Sequence, residues 1–488
     1  MKILLVYPSR VGRGNIPINI PILQAVLKQA GHEVQIFDTN SYRWPQWGLL
    51  QTKLGMFKKT DEDEYNKMLY ESDPFVDLES ICKKFGPQII AVSCLTTDFK
   101  FSMELVQTAK RVIPSLVSLY GGIHPIIATE AVLSHPEVDF VCTGEGEEAI
   151  VEFAENLQCG KDPLLVRNVW GKRKGSVVKN PFRPLIPLDS VPFQDLSGFE
   201  EFHFYRPFDG KIYRMANVEV SRGCFFPCSY CVNQTLKEKY NGLGKYHRIK
   251  SIDRAIAELV FLKQKHGFEF IRFWDEDFTS HSLEFLKDFA VAYQEKIGLP
   301  FLIYARCESI TGEKVKVLKE MGCKTFAVGI ESGSEWMRKN VLNRYVSNDT
   351  IIEKFNLIHE HDMRVSAYNM IGYPFETRKM IFETIELNRR CRPATSSVVF
   401  LEPYPGTKIM EMLIQERLIP PDYVAEYKID EPHFTPKSLT KKELSGLLRT
   451  FSLYTKLPKY TFPLIRISEG SGIISDLARN FLVSIYAD

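Results

Sequence analysis

Short, uninterrupted apolar runs alternate with amphipathic stretches over the first 150 residues. "KILLVYP" (2–8) is apolar almost throughout and ends in turn residues, the pattern of a strand covered on both faces. "PILQAVLKQAG" (21–31) follows helical spacing and ends at Gly31, a plain C-terminal stop. The runs "EVQIFD", "QIIAVSC", "LVSLYGG" and "DFVCTGEGE" come next, with helical patterns such as "FSMELVQTAKRV" between them. This rhythm predicts an α/β fold built on a doubly wound, Rossmann-like parallel sheet. Ligands of such sheets sit beyond the strand ends, so "SCLTTD" (93–98), "YGGIHP" (120–125) and "TGEGEE" (143–148) are the loops where chemistry is expected.

The pattern breaks near residue 160. Pro163, Pro181, Pro184, Pro187, Pro192 and Pro207 leave room only for short strands and extended backbone up to residue 212. A second alternating series then begins with "ANVEVSRGC". It continues through the strands "FIRFWDED", "FLIYARC", "TFAVGIESG", "VSAYNMIGYP" and "SSVVFLEPYPGT", with helical stretches between them. Six such units are two short of a closed barrel, so a partial (β/α)6 barrel is expected over 213–407. The expected organisation is a first domain over 1–159, an ordered Pro-rich linker over 160–212, the barrel, and a mainly helical C-terminal region over 408–488. In that last region "TKKELSGLLRTFSLY" is the clearest amphipathic piece, and the region is expected to close over the barrel.

Composition narrows the class. The 488 residues are 44% hydrophobic and 25% charged, which suits a globular chain of two or three domains. A formal net charge of +2 argues against a nucleic-acid partner. No window approaches the length of a transmembrane helix, and the opening "MKILLVYPSR" is too short for a signal peptide, so a cytoplasmic location is expected. Ten cysteines in that compartment do not suggest a disulfide framework. Cys82, Cys94, Cys142, Cys159, Cys307, Cys323 and Cys391 are scattered and read as small buried hydrophobes.

The other three cysteines are clustered in "SRGCFFPCSYCVNQ" (221–234). Cys224, Cys228 and Cys231 could form a stray disulfide, a zinc site or an iron–sulfur cradle. Three is an odd number for disulfides. Zinc needs a fourth protein ligand, and the nearest histidine, His247, lies sixteen residues beyond Cys231. Three thiolates can hold three irons of a [4Fe–4S] cube and leave the fourth open to a small molecule. A loop directly after the first barrel strand suits that third option, because barrel chemistry gathers at the C-terminal strand ends.

"CFFPCSYC", with Tyr230 before the last cysteine, resembles the cluster motif of radical S-adenosylmethionine (SAM) enzymes. The resemblance implies that Cys224, Cys228 and Cys231 bind a [4Fe–4S] cluster and that its open iron takes SAM. It also implies reductive cleavage of SAM to a 5′-deoxyadenosyl radical, with electrons from an external donor such as flavodoxin or ferredoxin. Later strand ends match in order: "FWDEDF" (273–278), "GIESGS" (329–334), "IGYPFET" (371–377) and "PYPGT" (403–407). The SAM-binding residues so implied are Tyr230, Asp275, Glu331, Ser332, Gly372, Tyr373 and Pro374. Each carboxylate also has a plain reading as a solvated loop residue or helix cap, and Glu376 as a helix N-terminal charge.

A Rossmann-like domain ahead of such a barrel resembles the cobalamin-binding class of the superfamily. The resemblance implies a cobalamin site at Ser93, Thr96, Thr97, Gly121, Gly122, His124, Gly144, Glu145 and Gly146. The D-x-H-x-x-G signature for a cobalt-ligating histidine is missing, and His32 in "AGHEV" reads as a surface or capping residue. The function implied first is C-methylation of a small-molecule or lipid substrate. Oxidative cyclisation or rearrangement is the alternative within the class, and a non-catalytic cobalamin sensor the alternative outside it. A methylthiotransferase would need a second cluster, for which Cys82, Cys94 and Cys142 sit too close to apparent core strands.

Overall fold

The computed structural model describes all residues except 12, 13, 45, 46, 58, 59, 62 and 486–488. The first sheet contains β1 (Lys2–Tyr7), β2 (Glu33–Asp38), β3 (Ile89–Ser93), β4 (Val117–Gly121) and β5 (Phe140–Cys142). These five are parallel in the order β2-β1-β3-β4-β5, as a doubly wound sheet requires. Ser93 pairs in register with Gly121, so the loops after β3 and β4 leave the sheet side by side.

The proline-rich stretch is more than a connector. It adds β6 (Val169–Arg173) and β7 (Ser176–Val178) antiparallel to β5, extending the first sheet to seven strands. It then adds β8 (Tyr205–Phe208), which pairs antiparallel with β9 (Lys211–Val218) and edges the second sheet. Its apolar residues Leu196, Phe199 and Phe204 join one buried cluster that runs from Ile3 and Leu5 to Val218 and Phe273. The two sheets therefore share a core across the linker.

Beyond β9, a two-residue ribbon pairs β10 (Ser221–Arg222) with β11 (Arg248–Ile249). The second sheet continues with β12 (Phe270–Phe273), β13 (Phe301–Ala305), β14 (Cys323–Glu331), β15 (Arg364–Ile371) and β16 (Thr395–Phe400). With β9 these make six parallel strands in sequential order, a curled and open part-barrel. The helices Ile252–His266, Leu283–Lys296, Gly312–Met321, Asn348–Glu360, Arg378–Cys391 and Lys408–Gln415 follow the strands. Each starts at a Ser or Thr whose side chain accepts a backbone N–H: Ser251, Ser282, Thr311, Ser347, Thr377 and Thr407. Each such cap contributes about 1 kcal/mol and fixes where a strand-end loop must stop.

The C-terminal region divides in two. Residues 408–434 lie at the barrel mouth, where Ile409, Met410, Leu413 and Phe434 pack in a cluster with Tyr230 and Tyr373. The amphipathic helix Lys441–Lys456 does not close over the mouth. It packs beside the barrel on Arg378–Cys391 and β16, burying Leu444, Leu447, Leu448 and Phe451. It starts at a capping box, Thr440 with Glu443.

Candidate active site

The cysteine loop is built tightly at both ends. Gly223, with φ +96°, lets the chain turn out of β10, and a Cβ there would lie 2.5 Å from the Tyr246 carbonyl oxygen. Asp275 takes up the other side of this turn. It accepts N–H donors from Val220 (3.1 Å) and Ser221 (2.6 Å) and the Ser221 hydroxyl (2.5 Å), with His281 Nε2 at 3.4 Å. Burial alone would raise this carboxyl, yet the His281 ring and the Ser221 hydroxyl hold it below its usual value. Asp275 thus holds the root of the loop. Its neighbour Glu276 stays open to the space at the mouth, and burial raises it to about 7.

Within the loop, Ser229 is pinned by Leu342 and Val341, and its carbonyl accepts from Ile409. Cys228 is buried, whereas Cys224 and Cys231 are half-buried. Arg306 donates to Cys228 Sγ at 2.9 Å, with its guanidinium 3.8 Å from the Phe226 ring centroid. Burial pushes the Cys224 thiol up to about 12. Among the described residues no three His, Cys, Asp or Glu side chains converge on a single ion position. Three thiols on one loop beside an arginine suit a polynuclear cluster with an open iron. His247 packs on Phe225, ring centroids 4.2 Å apart, and supplies no fourth zinc ligand.

Behind the loop lies a buried lattice of two arginines and two glutamates. Arg306 pairs with Glu308 at 2.6 Å, and Arg344 reaches Glu308 and Glu331 at 3.4 Å each. Glu331 sits at a bulge between β14 and β15 with φ +66°, which aims its carboxylate at Tyr230. Ser332 is fully buried; its carbonyl accepts from Arg338 and its hydroxyl from the Ser334 N–H, so it has a framework role. The turn Gly372–Pro374 is held by Glu376, which accepts the Gly372 (2.6 Å) and Tyr373 (3.2 Å) amides. Burial raises Glu376 to about 8. It therefore organises the Gly-Tyr-Pro turn instead of merely facing a helix N-terminus.

Across the mouth stand the ends of the first sheet. Leu95 is exposed, and Gly121, Gly122 and Ile123 are half-open, forming an apolar shelf at the ends of β3 and β4. Asn19 donates to Ser93 at 2.7 Å, and the Thr97 carbonyl accepts from Arg10 and Tyr427. Thr96 is buried and meets His124 Nδ1 at 3.1 Å. His124 is itself buried against Phe99 and lowered to about 4 by burial, so it belongs to the core under the shelf. Gly122 is required because a Cβ would lie 2.8 Å from Cys94 backbone atoms, and Gly144 because it would strike Asn168. Gly146 adjoins Leu23. His32 is buried beside the N-terminal amine at the opposite end of the sheet.

Glu145 joins the two halves. Arg222 donates to Glu145 (2.9 Å), Glu147 (2.8 Å) and Glu219 (2.9 Å), while Arg248 forks onto Glu145 at 2.6 and 2.9 Å. Burial would raise Glu145, but Arg248 and Arg222 hold it low. Arg222 lies two residues before Cys224, so the clamp ties the β5 loop to the root of the cysteine loop. A second contact sets the helix Ile123–Ile127 against Val232–Lys239, where Lys239 donates to the Ile126 carbonyl.

Family profiles match both halves: "Radical SAM superfamily" over residues 218–387 and "B12 binding domain" over 63–154. The chain carries a radical SAM domain and a B12-binding domain. An uncharacterized methyltransferase of Pyrococcus horikoshii is 26% identical over 100% of this chain and 99% of its own length. An anaerobic magnesium-protoporphyrin IX monomethyl ester cyclase of Cereibacter sphaeroides is 24% identical over 84% of this chain and 67% of its length. Among solved structures, TsrM of Kitasatospora setae, a radical SAM methyltransferase with cobalamin and a [4Fe–4S] cluster bound, superposes with a TM-score of 0.69. It covers 100% of this chain and 99% of its own at 14% identity, a likeness of fold.

The radical SAM barrel brings together Cys224, Cys228, Cys231, Tyr230, Glu331 and the Gly372–Pro374 turn around one mouth. Arg306, Glu308, Arg344 and Glu276 were missed in the sequence. The dipeptide "AR" at the end of β13 was the only local signal for Arg306, and nothing local marks Arg344 as its partner. Six of the seven scattered cysteines are buried; Cys159 is exposed. Among the described residues no helix is long and apolar enough to cross a membrane.

Proposed function

We propose that this protein is a cobalamin-dependent radical SAM methyltransferase acting on a carbon atom of a small-molecule or lipid substrate. The observation that carries the reading is the cysteine loop facing the exposed strand ends of the B12-binding domain, with Arg222 clamped to both. The full-length methyltransferase relative supports the same assignment.

Cys224, Cys228 and Cys231 would hold a [4Fe–4S] cluster. When bound, the cluster and SAM supply a hydrogen-abstracting radical, and cobalamin supplies the methyl group. The chain's own residues do the rest. Arg306 offsets charge on Cys228. Glu276, Glu331 and Tyr230 offer acceptors and a hydroxyl to the ammonium and ribose of SAM. The turn Gly372–Pro374, held by Glu376, gives a backbone edge to a base. Ser93, Thr97, Leu95, Gly121 and Gly122 border the cobalamin. Phe225 and Phe226 shield the loop from water. Reducing equivalents would come from an external donor such as flavodoxin or ferredoxin.

The test is anaerobic reconstitution with iron, sulfide and cobalamin, followed by turnover with methyl-labelled SAM and a metabolite extract. Labelled product with deoxyadenosine is expected. Deoxyadenosine with an unmethylated, dehydrogenated product would replace methylation by oxidative cyclisation. Failure to bind cobalamin would end the reading.

A further inference from the structure

We propose that the concave face of the barrel, from Arg272 to Tyr368, recognises a flat aromatic carboxylate as the substrate. The inference rests on the reading of the mouth above it as the reacting site. It names the chemistry of what lies beneath.

Strand alternation settles which side chains face inward. Ile271, Phe273, Ile303, Phe326, Val328, Val365 and Ala367 belong to the core shared with the helices. Their alternates Arg272, Trp274, Tyr304, Ala327, Gly329 and Tyr368 therefore line the concave face. Barrel interiors are ordinarily filled by branched aliphatic side chains. Here Trp274 and Tyr368 each keep 38% of their surface open. These two rings are open on the concave side of the sheet.

The rings form one wall. Trp274 and Tyr304 have centroids 5.5 Å apart at 40°, and Tyr304 and Tyr368 are 6.3 Å apart at 48°. Between the two tyrosines runs β14, where Tyr304 is level with Ala327 and Tyr368 with Gly329. The Glu331 carboxylate folds over Gly329, so the low part of the wall lies over Ala327, between the two tilted rings. Among the described residues neither phenol hydroxyl has a hydrogen-bond partner.

Arg272 supplies the charge preference. Its guanidinium is 5.8 Å from the Trp274 ring centroid, and Nη1 donates to Asn15 Oδ1 at 2.8 Å. Among the described residues it has no carboxylate partner, and its Nε is buried without an acceptor. A guanidinium so placed is matched by a planar carboxylate, which can take two parallel N–H donors. Asn15 comes from the first domain, whose Ile16 carbonyl accepts from Asn217 on β9, so both domains complete the site. An aliphatic chain would leave the hydroxyls and the guanidinium desolvated without return.

The experiment is calorimetric binding of 2-naphthoate, 2-naphthylmethanol and decanoate to the cobalamin- and cluster-loaded protein. The wild type, Arg272→Met and Tyr368→Ala are compared after their iron–sulfur and corrin bands confirm loading. Naphthoate is expected to bind at least tenfold more tightly than either other probe. Arg272→Met should erase its advantage over naphthylmethanol, and Tyr368→Ala should weaken both aromatic probes about tenfold. Decanoate binding as well as naphthoate, or unchanged naphthoate binding in both variants, would overturn the proposal. If one variant fails to load, the other still decides. Naphthoate bound as expected by a protein that cannot cleave SAM would support this site while refuting the methyltransferase reading.

Discussion

The two sheets end in opposite kinds of surface. At the barrel mouth the loops are packed with buried ions: Asp275 grips the root of the cysteine loop, Glu376 a turn, and Arg306 and Arg344 a pair of glutamates. At the ends of the first sheet the exposed surface is apolar and small, Leu95 beside Gly121, Gly122 and Ile123, and the polar residues beneath it pair with one another. Buried charges fix positions sharply because they are costly when unpaired. A shelf of glycines and leucine sets little but shape. The contrast suggests that the barrel end must hold its reactants within narrow tolerances, whereas the other end needs to seat a broad, flat group.

The largest test of that contrast is replacement of a cysteine. Cys228→Ala should abolish the iron–sulfur absorption and deoxyadenosine formation while leaving the far-ultraviolet circular dichroism unchanged. Continued deoxyadenosine production would break the comparison at its root. Next comes the clamp. Arg222→Met leaves Glu145, Glu147 and Glu219 without their shared cation, and loss of one partner from such a buried group costs about 3–5 kcal/mol. Urea denaturation should register that loss, and proteolysis should open the junction between the two sheets. A change below about 1 kcal/mol would show the clamp to be ornamental.

Glu376 gives a smaller effect with a definite sign. Its folded value of about 8 lies above the ordinary 4.5, so the native state holds a proton that the unfolded state releases between these values. The contribution is fully present below about 4.5 and is lost as pH rises towards 8. Glu376→Gln keeps an oxygen for the two amides and has no proton to lose. Its stability should fall less steeply than the wild type's between those limits, by about 1.4 kcal/mol per pH unit. Parallel curves would mean the carboxyl is not buried as described. Last, Thr440→Ala removes a cap far from either sheet end and should cost about 1 kcal/mol in thermal unfolding, with turnover unaltered.

Much of this was legible in the chain. The five parallel strands of the first sheet coincide with short apolar runs, since strands covered on both faces are mainly apolar, whereas the barrel strands interleave polar residues such as Arg272 and Asn369. The cysteine loop was legible because its ligands are local. The roles of carboxylates were not. "WDED" offers three, and burial alone separates Asp275 and Asp277, turned inward, from Glu276, which stays open at the mouth. Glu145 looked like a ligand of the first domain until Arg222 and Arg248 were found on it, 77 and 103 residues away.

The sequence by itself determined the order of elements, the two-sheet architecture and the three cysteines, because periodicity, capping and close spacing are properties of neighbouring residues. Only the tertiary structure decided which charges are scaffold and which face the mouth, that the linker completes both sheets, and that Arg272 stands beside aromatic rings on the concave face of the barrel. Those depend on partners brought together across hundreds of residues, and an ion's role is set by what shares its burial.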